Sequence, residues 1–417
     1  MKLHDSLSDR LEPIGASGEP LTFYVCGITP YDTTHVGHAF TYCAVDSLIR
    51  YLESEGRTIR YVQNVTDIDD DILRKAAEVG EDWRALGDRW TRHYIEDMRA
   101  LNVRPPDAFP RATEVIAQIV ETVDGLLAAG VAYQAGGSVY FHINDWPEFG
   151  KLSKLPRDRM LPIANERGNH PDDPNKRDPL DFVLWQAQVE GEPAWPSPWG
   201  PGRPGWHIEC STMATRWLGT TIDLHGGGDD LCFPHHECEI AQVEPLTGRP
   251  PFVRCWFHTA MVAYQGEKMS KSLGNLVMVR DLLETFSPDA IRFYLASHHY
   301  RQAWSYDPEE LVDAERQVEL LKAALLGEPE SGEGDLGVET AGRAFDQAMQ
   351  SDLDTPRAIE IMGRLAKAVL GSNSRQVGEA QAGLRRMGAV FGLRLDQAGP
   401  ERQVADGWQA HLNKFAG

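Results

Sequence analysis

The 417 residues of this chain carry 41 lysines and arginines against 62 aspartates and glutamates, a net charge of -21 that disfavours broad, sequence-blind attraction to nucleic acid. No apolar run is long enough to span a bilayer, and Met1 to Arg10 lacks the hydrophobic core of a secretion signal, so a cytoplasmic location and no membrane partner are expected. Six cysteines scattered along such a length point to metal ligation or simple burial rather than a disulfide framework.

Leu21 to Cys26 reads as a buried strand, Ala39 to about Glu55 as a helix with Val45, Leu48, Ile49 and Leu52 on one face, and Arg60 to Val65 as a second strand. That spacing is a βαβ unit. Helical patterns run on to about Gly130, after which the Pro-, Gly- and Asp-rich stretch from Asp145 to Pro204 shows little periodicity and reads as the loops of an insertion. Regular α/β character returns from Trp206 to Ser297, so the expected fold is one nucleotide-binding parallel sheet interrupted by a subdomain. A helix near Glu309 to Leu326 leads into Gly327 to Gly334, too polar and glycine-rich to pack, which reads as a linker. Asp354-Thr355-Pro356 is a helix start, with Thr355 as N-cap and Pro356 at the first helical position, and Ile359, Met362, Ala366 and Val369 line one face. Leu384, Met387, Val390 and Phe391 mark another helix, and the C-terminal part is expected to be a small helical bundle ending near Leu395 with a short tail.

Two basic clusters stand out. His35 and His38 flank Gly37 at a strand-to-helix turn, where a glycine lets a ligand approach the backbone, a helix N-terminus offers unpaired N–H groups, and imidazole donates to phosphate oxygens. By themselves they are equally a cap and a surface residue. Lys268 and Lys271 lie in a loop between Gly266 and Gly274, where two ammonium groups suit the charge that develops on a departing pyrophosphate. Such a loop alone is ordinarily just solvated; the pairing with the histidines points to a nucleoside triphosphate.

A second constellation is Cys26, Cys210, His235 and Glu239, whose thiolate, imidazole and carboxylate donors suit zinc, with His235 and Glu239 four apart on one helix face. The plain alternative makes Cys26 a buried strand residue and His236 or Glu237 a surface group. Zinc with an open position binds a cysteine thiolate through a bond that serine cannot make, which gives selectivity without editing. Trp195 to Trp206 leads into Cys210 and either walls that pocket or packs at the subdomain junction; Gly226 to Asp230 offers close backbone approach and carboxylates for hydroxyls.

With these motifs the chain resembles the class I aminoacyl-tRNA synthetases, and within them the cysteinyl-tRNA synthetase group, over about Leu21 to Leu326. Thr34-His35-Val36-Gly37-His38 looks like the family's HIGH signature, Lys268-Met269-Ser270-Lys271-Ser272 is its KMSKS signature, and Cys26, Cys210, His235 and Glu239 fall at its zinc positions. The resemblance implies a class I Rossmann-like α/β catalytic domain over 1–326, with an inserted subdomain at about 105–204. A linker at 327–337 and a helical bundle with a short tail over 338–417, without an anticodon-binding domain, complete the expected organisation.

Two features resemble a paralogous family, the mycothiol-biosynthesis cysteine ligases: Glu166 to Pro174 is similar to their ERGGDP signature, with Asn169-His170 interrupting it, and the chain ends soon after Leu395. Cys26 to Asp32 and Asp352 to Pro356 also look like that ligase, whereas Glu239 and Phe233 to Gln242 look like the synthetase.

The implied substrates are L-cysteine and ATP with Mg2+, and the implied metal is Zn2+. The acceptor is the amine of glucosaminyl-inositol, or tRNA in the alternative reading. By the same resemblance, adenylate contacts are expected from Gly27, Ile28, Thr29, Thr41, Asn64, Val65, Thr66, Trp206, Gly228, Asp229, Asp230, Val262 and Lys271, with His35, His38, Lys268 and Lys271 as the catalytic groups.

Overall fold

In this computed structural model, residues 1–15, 20–31, 34–269, 274–327, 334–372, 374–395 and 401–414 are described. The chain opens with an antiparallel hairpin, β1 (Lys2–Asp5) and β2 (Arg10–Pro13), then enters β3 (Leu21–Ile28). Almost every residue of β3 is buried, as a strand covered on both faces demands. Helix α1 (Val36–Ser54) begins three residues earlier than the apolar pattern suggests, because the His35 imidazole accepts the backbone N–H of Gly37 at 3.1 Å and of His38 at 3.4 Å. β4 (Ile59–Val65) follows, then α2 (Asp70–Val79) and α3 (Trp83–Ala100).

The insertion is more ordered than its sequence implies. Helix α4 (Ile116–Ala128) leads to β5 (Ala132–Ala135) and β6 (Ser138–Phe141), and after α5 (Arg157–Asn165) come β7 (Phe182–Ala187) and β8 (Gly202–Pro204). These strands form one antiparallel sheet in the order β5-β6-β7-β8. The stretch expected to be loops supplies two of its strands, both short, with β7 in register on β6 and β8 in register on β7.

The chain then returns through α6 (Trp206–Leu218), β9 (Ile222–Gly228), α7 (Glu237–Thr247) and β10 (Val253–Thr259). β10, β9, β3 and β4 make a wholly parallel sheet in that order, a doubly wound arrangement whose ligand crevice lies at the C-terminal strand ends. Alternation along β3 sorts the core: Phe23, Val25 and Ile28 join the apolar cluster shared with α1, while Tyr24 and Cys26 join the cluster shared with the insertion.

Beyond the sheet, β11 (Val262–Tyr264) and β12 (Glu267–Lys268) form a small sheet with β13 (Trp304–Ser305), around α8 (Val279–Leu283) and α9 (Pro288–Ala296). Helices α10 (Pro308–Leu326), α11 (Val338–Gln350), α12 (Thr355–Leu370) and α13 (Val377–Val390) pack as a bundle. The cap of α12 is Asp354, which accepts the Arg357 N–H at 3.2 Å, so Thr355 is the first helical residue rather than the cap. The expected tail is a helix, α14 (Glu401–Asn413), that packs on α3. Trp408 is fully buried there and its indole N–H donates to the Val103 carbonyl at 2.7 Å. All six cysteines are free, and among the described residues no helix is long and apolar enough to cross a membrane.

Candidate active site

Cys26 closes the last full turn of pleat in β3, where the strand bulges between Val25 and Ile28. The Gly27 N–H donates to the Asn64 side-chain oxygen at 2.8 Å, and a Cβ on Gly27 would lie 1.6 Å from the Asn64 carbonyl oxygen, so only glycine fits. This bulge aims the Cys26 thiol at α6 and α7. Its sulfur lies 3.8 Å from Cys210 Sγ, 3.5 Å from Glu239 Oε1 and 3.3 Å from His236 Nε2, and His235 Nε2 is 3.3 Å from the same Glu239 oxygen.

Cys26, Cys210, His235 and Glu239 thus converge, all buried, with ligand atoms within 4.8 Å of one another. The donor set fits zinc: the 3.8 Å between the sulfurs is the edge of a tetrahedron with metal–sulfur bonds of about 2.3 Å. Burial, followed by Cys210 and Glu239, pushes the Cys26 thiol well above its ordinary pKa, and burial with neighbouring imidazoles holds His235 and His236 well below theirs. Neutral imidazoles are ready ligands, and a divalent cation is what would make the thiols ionise.

A wider histidine array surrounds this cluster and was not legible as such. His225 Nε2 pairs with Glu239 Oε2 at 3.0 Å, His207 Nδ1 lies 2.9 Å from His235 Nδ1, and His236 Nδ1 lies 2.8 Å from His258 Nε2. Cys26, His225, His236 and Glu239 form a second convergent set sharing two members with the first. The alternative that put His236 or Glu237 at the surface is corrected: both are buried, because α7 is enclosed, and Glu237 accepts the N–H groups of Leu152 and Ser153 at 3.1 and 2.8 Å. Cys238, beside them, is buried. The Trp206 ring lies 4.4 Å from His235, walling the cluster, while Trp185 and Trp199 pack on each other in the insertion.

The histidine turn adjoins this edge of the sheet. Because His35 Nδ1 accepts backbone N–H groups, its proton sits on Nε2, a donor suited to a phosphate oxygen. The His35 and His38 ring centroids lie 3.8 Å apart, with the planes tilted by 32°. Val36 donates to the Val277 carbonyl and Val279 to the Thr34 carbonyl, each at 2.9 Å, so the segment that leaves the lysine loop is stitched to the histidine turn. Lys268 ends β12; Lys271 lies outside the described residues.

The other expected contacts gather at the same strand ends. Thr66 donates its N–H to the Ile28 carbonyl at 2.9 Å, placing Asn64, Val65 and Thr66 beside Gly27, Ile28 and Thr29. Thr41 and Thr259 share a 2.6 Å hydroxyl contact across α1 and β10, and Gly228, Asp229 and Asp230 follow the end of β9. Val262 is packed in the core, which leaves only its backbone for a ligand. Sequence reasoning also passed over Glu209, fully enclosed beside Cys210; burial, then Cys210, Asp69 and Asp67, push its carboxyl well above the usual range. A charged residue directly before a proposed ligand was the available signal.

The family described as tRNA synthetases class I (C) catalytic domain matches residues 15–316. The chain is 42% identical over 400 residues to an L-cysteine:1D-myo-inositol 2-amino-2-deoxy-alpha-D-glucopyranoside ligase of Thermomonospora curvata, covering 95% of this chain and 94% of that protein. It is 44% identical over 415 residues to a cysteine–tRNA ligase of Alkalilimnicola ehrlichii, covering 98% and 88%. In fold it is similar to Mycobacterium tuberculosis methionyl-tRNA synthetase in complex with methionyl-adenylate, with a TM-score of 0.64 at 17% identity over 95% of this chain and 93% of that one. A parallel sheet with its crevice at the histidine turn, and relatives at this identity along nearly the whole length, place the chain in the class I tRNA synthetase family, among its (C) catalytic domains.

Proposed function

We propose that this protein is an ATP-dependent cysteine ligase, which activates L-cysteine as cysteinyl-adenylate and transfers it to the amine of an amino sugar of the glucosaminyl-inositol class. The observation that carries the activation half is the convergence of Cys26, Cys210, His235 and Glu239 at the sheet edge that also bears the histidine turn. Cys26, Cys210 and His235, with Glu239 as fourth or outer ligand, would hold zinc, which would supply a Lewis acid that selects a thiolate over a hydroxyl.

The chain's own groups do the remaining work. The Nε2–H of His35 and the His38 ring hold phosphate oxygens, while the strand ends at Gly27 to Thr29, Asn64 to Thr66 and Gly228 to Asp230 seat the adenylate. Lys268 and Lys271 neutralise the pyrophosphate as it departs. Much of the acceleration comes from placing the amino acid's carboxylate in line with the α-phosphate. The amine then attacks the mixed anhydride and AMP leaves.

The acceptor assignment rests on the loop from Glu166 to Pro174. Arg167 donates from Nη1 to the Phe233 carbonyl, which ties this loop to the turn that presents His235. Glu239 favours a second reading, in which a ribose hydroxyl of tRNA takes the cysteinyl group. AMP formation by zinc-loaded protein with cysteine and ATP, run with glucosaminyl-inositol and separately with tRNA, decides between them. Turnover with the amino sugar alone is the expected result, and charging of tRNA alone overturns the acceptor assignment.

A further inference from the structure

Glu209 lies on the first turn of α6, one residue before Cys210, and is fully enclosed. Neither of its carboxylate oxygens makes a well-formed hydrogen bond among the described residues, although the Thr66 hydroxyl faces it. The ionisable groups that bear on it most, Cys210, Asp69 and Asp67, are all acidic. The two aspartates are otherwise committed: Asp67 accepts the Thr113 N–H at 3.0 Å and its hydroxyl at 2.6 Å, and Asp69 caps α2 by accepting the Ile72 N–H at 2.9 Å. Glu209 alone of the three has both oxygens uncommitted, an arrangement that costs stability unless a donor or cation arrives to satisfy it.

Its position identifies that cation. Successive residues on a helix point about 100° apart, so as Cys210 turns towards Cys26, Glu209 turns towards Thr66 at the end of β4. A thiol held at the Cys26 and Cys210 pair has, in cysteine, an ammonium only two carbons away. We propose that Glu209 is the specificity-determining residue for the α-ammonium of the amino acid, reading that charge between the thiol-binding cluster and the Thr66 end of β4. This rests on the cysteine-activation reading. It adds a second discrimination: the metal cluster rejects hydroxyl analogues, and Glu209 rejects thiols that lack the amine. Glu209 and Cys210 are adjacent on the first turn of α6, so their spacing fixes which way the substrate carboxylate points.

The test compares cysteine with its des-amino analogue, 3-mercaptopropionate, by titration calorimetry on the zinc-loaded full chain. In E209Q, cysteine binding is expected to weaken on the order of a hundredfold, with 3-mercaptopropionate changed less than about threefold and zinc content unaltered. E209D, which keeps the carboxyl group, is expected to recover part of the loss. Unchanged cysteine affinity in E209Q, or equal losses for both ligands, overturns the assignment. If E209Q fails to fold, E209D takes its place in the same two titrations: a larger loss for cysteine than for 3-mercaptopropionate is expected, and equal losses overturn the proposal. Failure of the underlying reading shows separately, as unsubstituted protein that binds cysteine no better than serine.

Discussion

Tyr24, Cys26, His225 and His258 project from one face of the parallel sheet, Phe23, Val25, Leu224 and Phe257 from the other, and the two faces bury opposite chemistries. The first packs cysteines, imidazoles and carboxylates against α6 and α7; the second packs apolar side chains against α1 and the helices beyond. Simple alternation along β3, β9 and β10 produces the sorting, and a one-residue slip in register would exchange the two sets. The proposed selectivity is thus built on the enclosed face, where donors cannot rearrange, while the opposite face holds the scaffold together.

The sharpest way to break that division is Cys210→Ala. It is expected to abolish zinc retention, read by metal analysis, and to lower cysteine-dependent pyrophosphate exchange on the order of a thousandfold. The opposite face should respond in stability alone. Arg292 is buried against Asp46 and donates to the Leu101 carbonyl at 2.8 Å, so Arg292→Leu leaves a buried carboxylate short of a partner. A loss of about 3 to 5 kcal/mol in urea denaturation is expected, with zinc content unchanged. Gly27→Ala strikes the bulge that joins the faces; the collision with the Asn64 carbonyl should cost about 3 kcal/mol and reduce zinc retention along with it.

Acid titration sharpens the comparison with a smaller effect. Burial holds His258 down to about 3, well under the unfolded value, so the unfolded chain binds the extra proton first and stability falls as pH drops from about 6.5 towards 3. Between pH 6.5 and 5 this one histidine should contribute about 1.6 kcal/mol of loss, and His258→Gln should make that part of the curve shallower by this amount, the buried His207, His235 and His236 supplying the rest of the slope.

The strand, turn and helix around the histidine signature were legible because β3 is almost wholly apolar and Val45, Leu48, Ile49 and Leu52 recur at helical spacing in α1. The four residues of the proposed metal set were readable by chemical type, and the fold brings their donor atoms together. The surrounding histidines were not, since His207, His225 and His258 come from three separate elements and no spacing connects them. Helix α14 was missed for another reason: among its described side chains Trp408 alone is fully buried, and its docking also uses Gly407, where a Cβ would lie 2.4 Å from Pro105. The insertion hid two strands because each is short and set among prolines and glycines, and they join the sheet through β7 pairing on β6 and β8 on β7.

Cysteine activation at the metal cluster is tested by ATP–pyrophosphate exchange with cysteine and with serine, before and after removal of zinc by chelation and after its return. Exchange that requires cysteine, disappears with the metal and recovers with it is the result this account predicts. Exchange that proceeds equally with serine, or that survives complete loss of zinc, contradicts it.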